Sequence, residues 1–277
     1  MIRATLCLAF AAVLAAHAAG AHAGQACTET RLAPAEVRAG LTLALDLSRE
    51  LDRDHAEIAI VARVGQDLSR YGLRYSHVGI AWRSGPRGAW SMLEELNQCG
   101  TAHSTLYDDG FGNFFLDDMF AYEAKVVIPS ADVQRRIAAA LASGAATRLH
   151  EPRYSEIAYP WSTRYQNCNQ WVLETVAEAL DPQSVADRAG AQAWLRAKGY
   201  RPTTLHVSPI EQFGAQLFSS SLAFDDHPQE RLMAGEIDVV TAESVMDFVA
   251  RIDRSATVRV LSVDPAAAPV PPARPAP

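Results

Sequence analysis

Two side chains in this sequence are of the types that do covalent chemistry together: the thiol of Cys168 and the imidazole of His77. Cys168 stands in Asn167-Cys168-Asn169-Gln170-Trp171, at the head of a run with apolar residues at helical spacing. His77 stands in Tyr75-Ser76-His77-Val78-Gly79-Ile80-Ala81-Trp82, which reads as a strand beginning just after the histidine. A thiol in the first turn of a helix faces the positive end of the helix dipole, which favours the thiolate. An imidazole fixed on a strand can serve as its base or as its cationic partner. Such partners are commonly far apart in sequence and adjacent in space. A third group must orient the ring. Glu94 and Glu95 lie on the expected return strand, and neighbouring strand residues point to opposite faces, so only one of them can turn toward His77. Taken singly, each residue has a plainer reading. A cysteine on a buried helix is more often a small apolar side chain, and an acidic pair at a strand end is more often solvated.

The elements that must hold these residues follow from periodicity. Helices are expected over 34–52, 130–141, 168–180, 183–198, 209–218 and 242–252, with Ser130 as a cap and Gly199 as a stop. Within 168–180 the residues expected to face inward are Val172, Val176, Ala179 and Leu180. Strands are expected over 58–64, 75–83, 90–97, 122–128, 236–240 and 258–263, with a breaker-rich turn at 84–88 making a hairpin. The stretch 101–119 reads as a loop whose Phe111, Phe114 and Phe115 cover an edge, and 150–164 reads as irregular. No internal repeat is evident. Helix, strands, helix and then further helices make an α+β fold with a mainly antiparallel sheet.

The first 23 residues have the form of an export signal: Arg3, an apolar run over 6–19, and the small-x-small site Ala21-His22-Ala23. That run is too short to span a bilayer, and no later stretch is long and apolar enough. The expected location is periplasmic or secreted. The chain carries a net charge of −7, one unit more negative without Arg3, which argues against nucleic acid as a partner. The final stretch, 264–277, is rich in proline and alanine and reads as a disordered tail.

Cys7 lies in the signal, leaving Cys27, Cys99 and Cys168 for an oxidising compartment. One arrangement pairs Cys27 with Cys99 and leaves Cys168 free. A second keeps all three buried and reduced, and a third ties Cys168 into a bridge. His103, His150, His206 and His227 fall into no metal-ligand spacing, and Asp108-Asp109 and Asp117-Asp118 match no calcium loop, so no metal and no cofactor is expected.

The segment His77-Val78-Gly79-Ile80, followed by a hairpin and Met92-Leu93-Glu94, resembles the hairpin of NlpC-type papain-like cysteine hydrolases. In most of these the cysteine helix precedes the hairpin. Here it follows, as in the circularly permuted branch that includes lecithin:retinol acyltransferase-like proteins. The segments around His77, Leu96-Asn97-Gln98-Cys99-Gly100-Thr101 and Asn167-Cys168-Asn169-Gln170-Trp171-Val172-Leu173-Glu174 also resemble an exported bacterial domain family of unknown function. The resemblance implies a permuted papain-like fold over 24–263, with a core at about 58–180 and a helical C-terminal extension at 181–263. It makes Cys168 the nucleophile, His77 the base and Glu94 the orienting residue, with Glu95 in reserve. Members often carry a tyrosine upstream of the cysteine, near the oxyanion, and here Tyr154 and Tyr165 are the candidates. Asn169-Gln170 departs from the usual Ser-Glu, and the hairpin turn is longer than usual. The activity implied is hydrolysis or acyl transfer at amide or ester bonds of cell-envelope peptides or lipids, through a thioester. The alternative is an inactive module that binds an envelope component or a protein partner.

Overall fold

The computed structural model describes residues 31–83, 90–117 and 119–266. The expected signal, Cys27, the hairpin turn, Asp118 and the tail beyond Ala266 lie outside them. The elements are α1 (Pro34–Arg53), β1 (Ile58–Val64), β2 (His77–Trp82), β3 (Ser91–Asn97), β4 (Ser104–Asp109), α2 (Phe111–Leu116), β5 (Ala121–Ile128), α3 (Ala131–Ala142), α4 (Ala145–Arg148), α5 (Cys168–Leu180), α6 (Arg188–Ala197), β6 (Thr203–His206), α7 (Pro209–Phe218), α8 (Gln229–Met233), β7 (Glu236–Val239), α9 (Ala242–Ile252) and β8 (Thr257–Ser262). A six-stranded antiparallel sheet runs β4-β3-β2-β1-β5-β8, and β6 pairs with β7 in a separate two-stranded sheet. The fold is α+β.

β1 lies at the middle of the sheet and is buried along its whole length, as its near-continuous apolar run requires of a strand covered on both faces. Ala59 and Val61 face a cluster built with Leu43, Leu47 and Leu51 of α1 and Phe114 and Phe115 of α2. Ile58, Ile60 and Ala62 face the larger cluster, which α3, α5 and α9 complete. α5 is enclosed on all sides: every residue from Cys168 to Ala179 is buried. The inward face expected for it was too narrow, because sheet, α3, α6 and α9 all pack against it.

Two expectations are corrected. Residues 101–119 are not a loop. β4 pairs residue for residue with β3, from Met92↔Asp109 to Asn97↔Ser104, and α2 buries its three phenylalanines. Ser104-Thr105-Leu106-Tyr107-Asp108-Asp109 lacks a strong strand pattern, so the ladder to β3 decides its conformation. The C-terminal stretch 181–263 is not an appended helical extension. β8 pairs along β5 from Glu123↔Ser262 to Ile128↔Thr257, and Val245, Met246 and Val249 of α9 enter the main core. Smaller differences concern boundaries. β2 starts at His77 itself. α6 starts at Arg188, where Asp187 caps it by accepting from the Gly190 N–H at 2.8 Å. Ser130 makes no side-chain cap; its N–H donates to Asp253 instead.

α1 and α2 approach closely because α1 carries Gly40 at the crossing. A Cβ there would overlap the carbonyl oxygen of Phe115. Gly40→Ala forces backbone apart and is expected to destabilise the protein by about 1–3 kcal/mol, read from its urea midpoint. An unchanged midpoint would mean that α2 is not held against α1.

Candidate active site

The position of Cys168 is set by the residue before it. Asn167 caps α5: its Oδ1 accepts from the Gln170 N–H at 2.8 Å, and its Nδ2 donates to the carbonyls of Glu156 (3.1 Å) and Val240 (3.3 Å). Asn169 also donates to Val240 O, at 3.3 Å. Cys168 thereby becomes the first helical residue, 8% exposed. Among the described residues it is the free thiol. The bridge expected between Cys27 and Cys99 has its Cys27 end outside the described residues.

His77 opens β2 opposite Arg63 of β1, and its ring reaches both the cysteine and the hairpin strand. Its Nε2 lies 2.6 Å from Glu94 Oε2, and the Cys168 sulfur is near enough to the same ring to favour its charged form. Since Nε2 is committed to Glu94, Nδ1 is the nitrogen left for the sulfur. Phe114 of α2 packs against the imidazole with ring centroids 5.8 Å apart. The Arg63 guanidinium lies 5.1 Å from the centroid of that same Phe114 and is tied to Asp117 at 2.5 Å. Burial works against the charged imidazole. The neighbouring Cys168 sulfur and then Glu94 more than offset it, and His77 is raised from 6.5 to about 9.

Glu94 and Glu95 are both buried, on opposite faces of β3, and Glu94 is the one that meets His77. Glu95 turns to the other face, where its Oε1 accepts from Ser104 Oγ at 2.7 Å. Burial, the dominant influence on Glu95, raises its carboxyl to about 8.

Of the two upstream tyrosines, Tyr154 reaches the sulfur. Residues 152–154 run beside the start of β4, with Ser104 N–H donating to Pro152 O (2.9 Å) and Tyr154 N–H to Ala102 O (2.8 Å). The buried Tyr154 hydroxyl lies close enough to Cys168 for the two to interact. Burial first, then the charges of Cys168, Glu156 and Glu95, push this phenol well above its ordinary value, so it stays protonated. Tyr165 bonds Asp225 instead.

The segment carrying Tyr154 is locked to the helices by a buried charge. Glu174 of α5 accepts from Arg188 Nε (2.7 Å), Gln166 (2.7 Å), Gln192 (3.0 Å) and Gln170 (3.2 Å). Arg188 also donates to the carbonyls of Thr163 (2.9 Å) and Tyr165 (3.0 Å). The sequence reading missed this lock, since a glutamate inside an apolar helix does not reveal its partner. It also missed the Asn167 cap, although an asparagine directly before a helical run is a recognisable signal.

Chemically the four groups present a sulfur beside a cationic ring, a carboxylate fixing that ring, and a neutral O–H aimed at the sulfur. The Cys168 N–H, in the first turn, has no intrahelical acceptor by geometry. Among the described residues, no group of three or more His, Cys, Asp or Glu is placed to hold a metal, and no helix is long and apolar enough to cross a membrane. A surface cleft of about 470 Å³, lined by Asp54, Gln134 and Arg259 among others, includes none of the four site residues.

The family model described as uncharacterized protein conserved in bacteria (DUF2145) matches residues 50–249. The chain belongs to this family. No curated protein and no solved structure matches it. The DUF2145 match takes in His77, Glu94, Tyr154 and Cys168, together with the Glu174–Arg188 lock.

Glu174→Ala leaves the Arg188 guanidinium buried without its carboxylate. The expected cost is about 3–5 kcal/mol, measured by chemical denaturation at pH 7. A loss below about 1 kcal/mol would show that water reaches Arg188 and that the lock is no constraint.

Proposed function

We propose that this DUF2145 protein is a cysteine hydrolase or acyltransferase of permuted papain-like type, acting on amide or ester bonds through a thioester. The observation that carries the reading is the continuous contact chain Cys168–His77–Glu94, with Nε2 on the carboxylate and Nδ1 left for the sulfur. Hairpin first and cysteine helix afterwards is the permuted order. The export signal read from residues 1–23 favours a periplasmic or secreted enzyme and a cell-envelope peptide or lipid as substrate.

In the proposed mechanism the Cys168 thiolate attacks the carbonyl carbon. The developing oxyanion takes hydrogen bonds from the Cys168 N–H and the Tyr154 hydroxyl, neither of which needs to ionise. Imidazolium at His77 protonates the departing amine or alcohol, leaving an acyl thioester and a neutral ring. That ring then removes a proton from water, or from an acceptor alcohol or amine, which attacks the thioester. The thiolate is expelled and the imidazolium is restored. Glu94 keeps the ring oriented through both halves.

The test is the rate of iodoacetamide modification of Cys168 against pH, beside His77→Ala. Wild-type alkylation is expected to persist below pH 7, and His77→Ala to lower the rate at pH 6.5 by about tenfold or more. With His77 at about 9, the imidazolium is present below that pH and lost above it, so hydrolysis of amides and esters should fall on the alkaline side. Slow alkylation that ignores the His77 substitution would sink the hydrolase reading and leave a binding module.

A further inference from the structure

Beneath the proposed site, on the opposite face of β3 from Glu94, lies a second chain of polar groups that the mechanism does not use. Glu95 is fully buried. Its Oε1 lies 2.7 Å from Ser104 Oγ, and that same Oγ lies 3.0 Å from His150 Nε2. The other Glu95 oxygen, Oε2, is buried without a hydrogen-bond partner. His150 is the outer end, its side chain 13% exposed. The inner end is close enough to Tyr154 and His77 that the charge on Glu95 is felt by both.

A serine hydroxyl has one proton and here two neighbours, so its direction is dictated by Glu95. When Glu95 is a carboxylate, Ser104 donates to it and must accept from His150, which then carries its proton on Nε2. When Glu95 is a carboxylic acid, the acid donates to Ser104, Ser104 donates to His150 Nε2, and the neutral imidazole carries its proton on Nδ1. We propose that Glu95, Ser104 and His150 form a proton wire that links the buried floor of the site to solvent and reports the charge of Glu95 to the segment that positions Tyr154. Ser104 and His150 are positioning residues here, because that segment is the one Ser104 N–H holds at Pro152 and Ala102 O holds at Tyr154. The wire deepens the hydrolase reading as a regulation of the same site.

The groups that face it decide where it switches. Burial raises Glu95 to about 8; the Ser104 hydrogen bond, Arg188 of α6 and His77 of β2 favour its charged form, and Glu174 of α5 opposes it. At the outer end burial lowers His150, Glu151 acts to raise it and Arg188 to lower it, so the ring is neutral throughout the range in which Glu95 titrates. His150 therefore changes tautomer without changing charge. Below the Glu95 transition the Nδ1–H form is expected, and above it the Nε2–H form.

The experiment is a long-range 15N–1H correlation spectrum of the full chain from pH 6.5 to 9.5, which distinguishes the two neutral tautomers. His150 should pass from Nδ1–H to Nε2–H with a midpoint near 8. Glu95→Gln, which cannot ionise, should hold one tautomer across the range, and Ser104→Ala should uncouple His150 in the same way. Iodoacetamide modification of Cys168 in parallel samples should show a step of roughly twofold near pH 8 that is absent in Glu95→Gln. A His150 tautomer that does not move in the wild type, or that still moves in Glu95→Gln, overturns the wire. A tautomer switch without the alkylation step overturns its link to the site. Neither readout requires hydrolysis of any substrate, so inactivity toward amides and esters would refute the hydrolase reading and leave these results standing.

Discussion

Glu94 is 2% exposed, and His77 is the side chain it bonds. A carboxylate taken out of water needs a permanent cation or a full set of donors. Much of the surrounding architecture satisfies that need. β1 places Arg63 opposite His77, α2 lays Phe114 against both that guanidinium and the imidazole, and Asp117 balances Arg63. The two basic side chains share one aromatic ring as a neighbour, and each has its own acidic partner. α1 must come close for Phe114 to be there, which is why a glycine stands where the two helices cross.

The cysteine side is built differently. Among the described residues, no salt bridge holds the first turn of α5 in place. Asparagine amides do so, reaching the carbonyls of Glu156 and Val240, and the buried Glu174 then gathers Arg188 and three glutamines around the segment that delivers Tyr154. Amides suit this position because they satisfy backbone acceptors without adding charge beside the Cys168 sulfur. Asn169 and Gln170 follow the same economy of charge: Asn169 donates to Val240, and Gln170 supports Glu174.

Much of this was readable before any coordinates. The short β-branched run 58–64 marks a strand with the bounds observed, and the helices expected at 168–180, 209–218 and 242–252 also have the bounds observed. Strand alternation alone says that Glu94 and Glu95 part company, but not which of them meets His77, because that depends on the register between β2 and β3. What stayed hidden were features decided by distant partners. β4 has a weak strand pattern and exists because β3 offers a ladder. β8 reads as a lone terminal strand and turns out to close the main sheet. Tyr154 and Tyr165 are indistinguishable by spacing, and only the pairing of 152–154 with the start of β4 separates them.

That closure by β8 has a temporal side. β5 is complete at Ile128, yet the strand that lies along it, Ile128↔Thr257 through Glu123↔Ser262, is synthesised after every other strand of the sheet. Contacts so distant in sequence form slowly, since the intervening chain must be ordered first. α9, which roofs the larger core beside α5, also comes from this final stretch. A partly made chain therefore contains the thiol, the imidazole and both glutamates but not the enclosure that brings them together. The chemistry proposed for this protein would then wait on this stretch, whose Val240 carbonyl holds the amides of Asn167 and Asn169, and a chain cut short before it would carry every reactive residue and lack the means to use them.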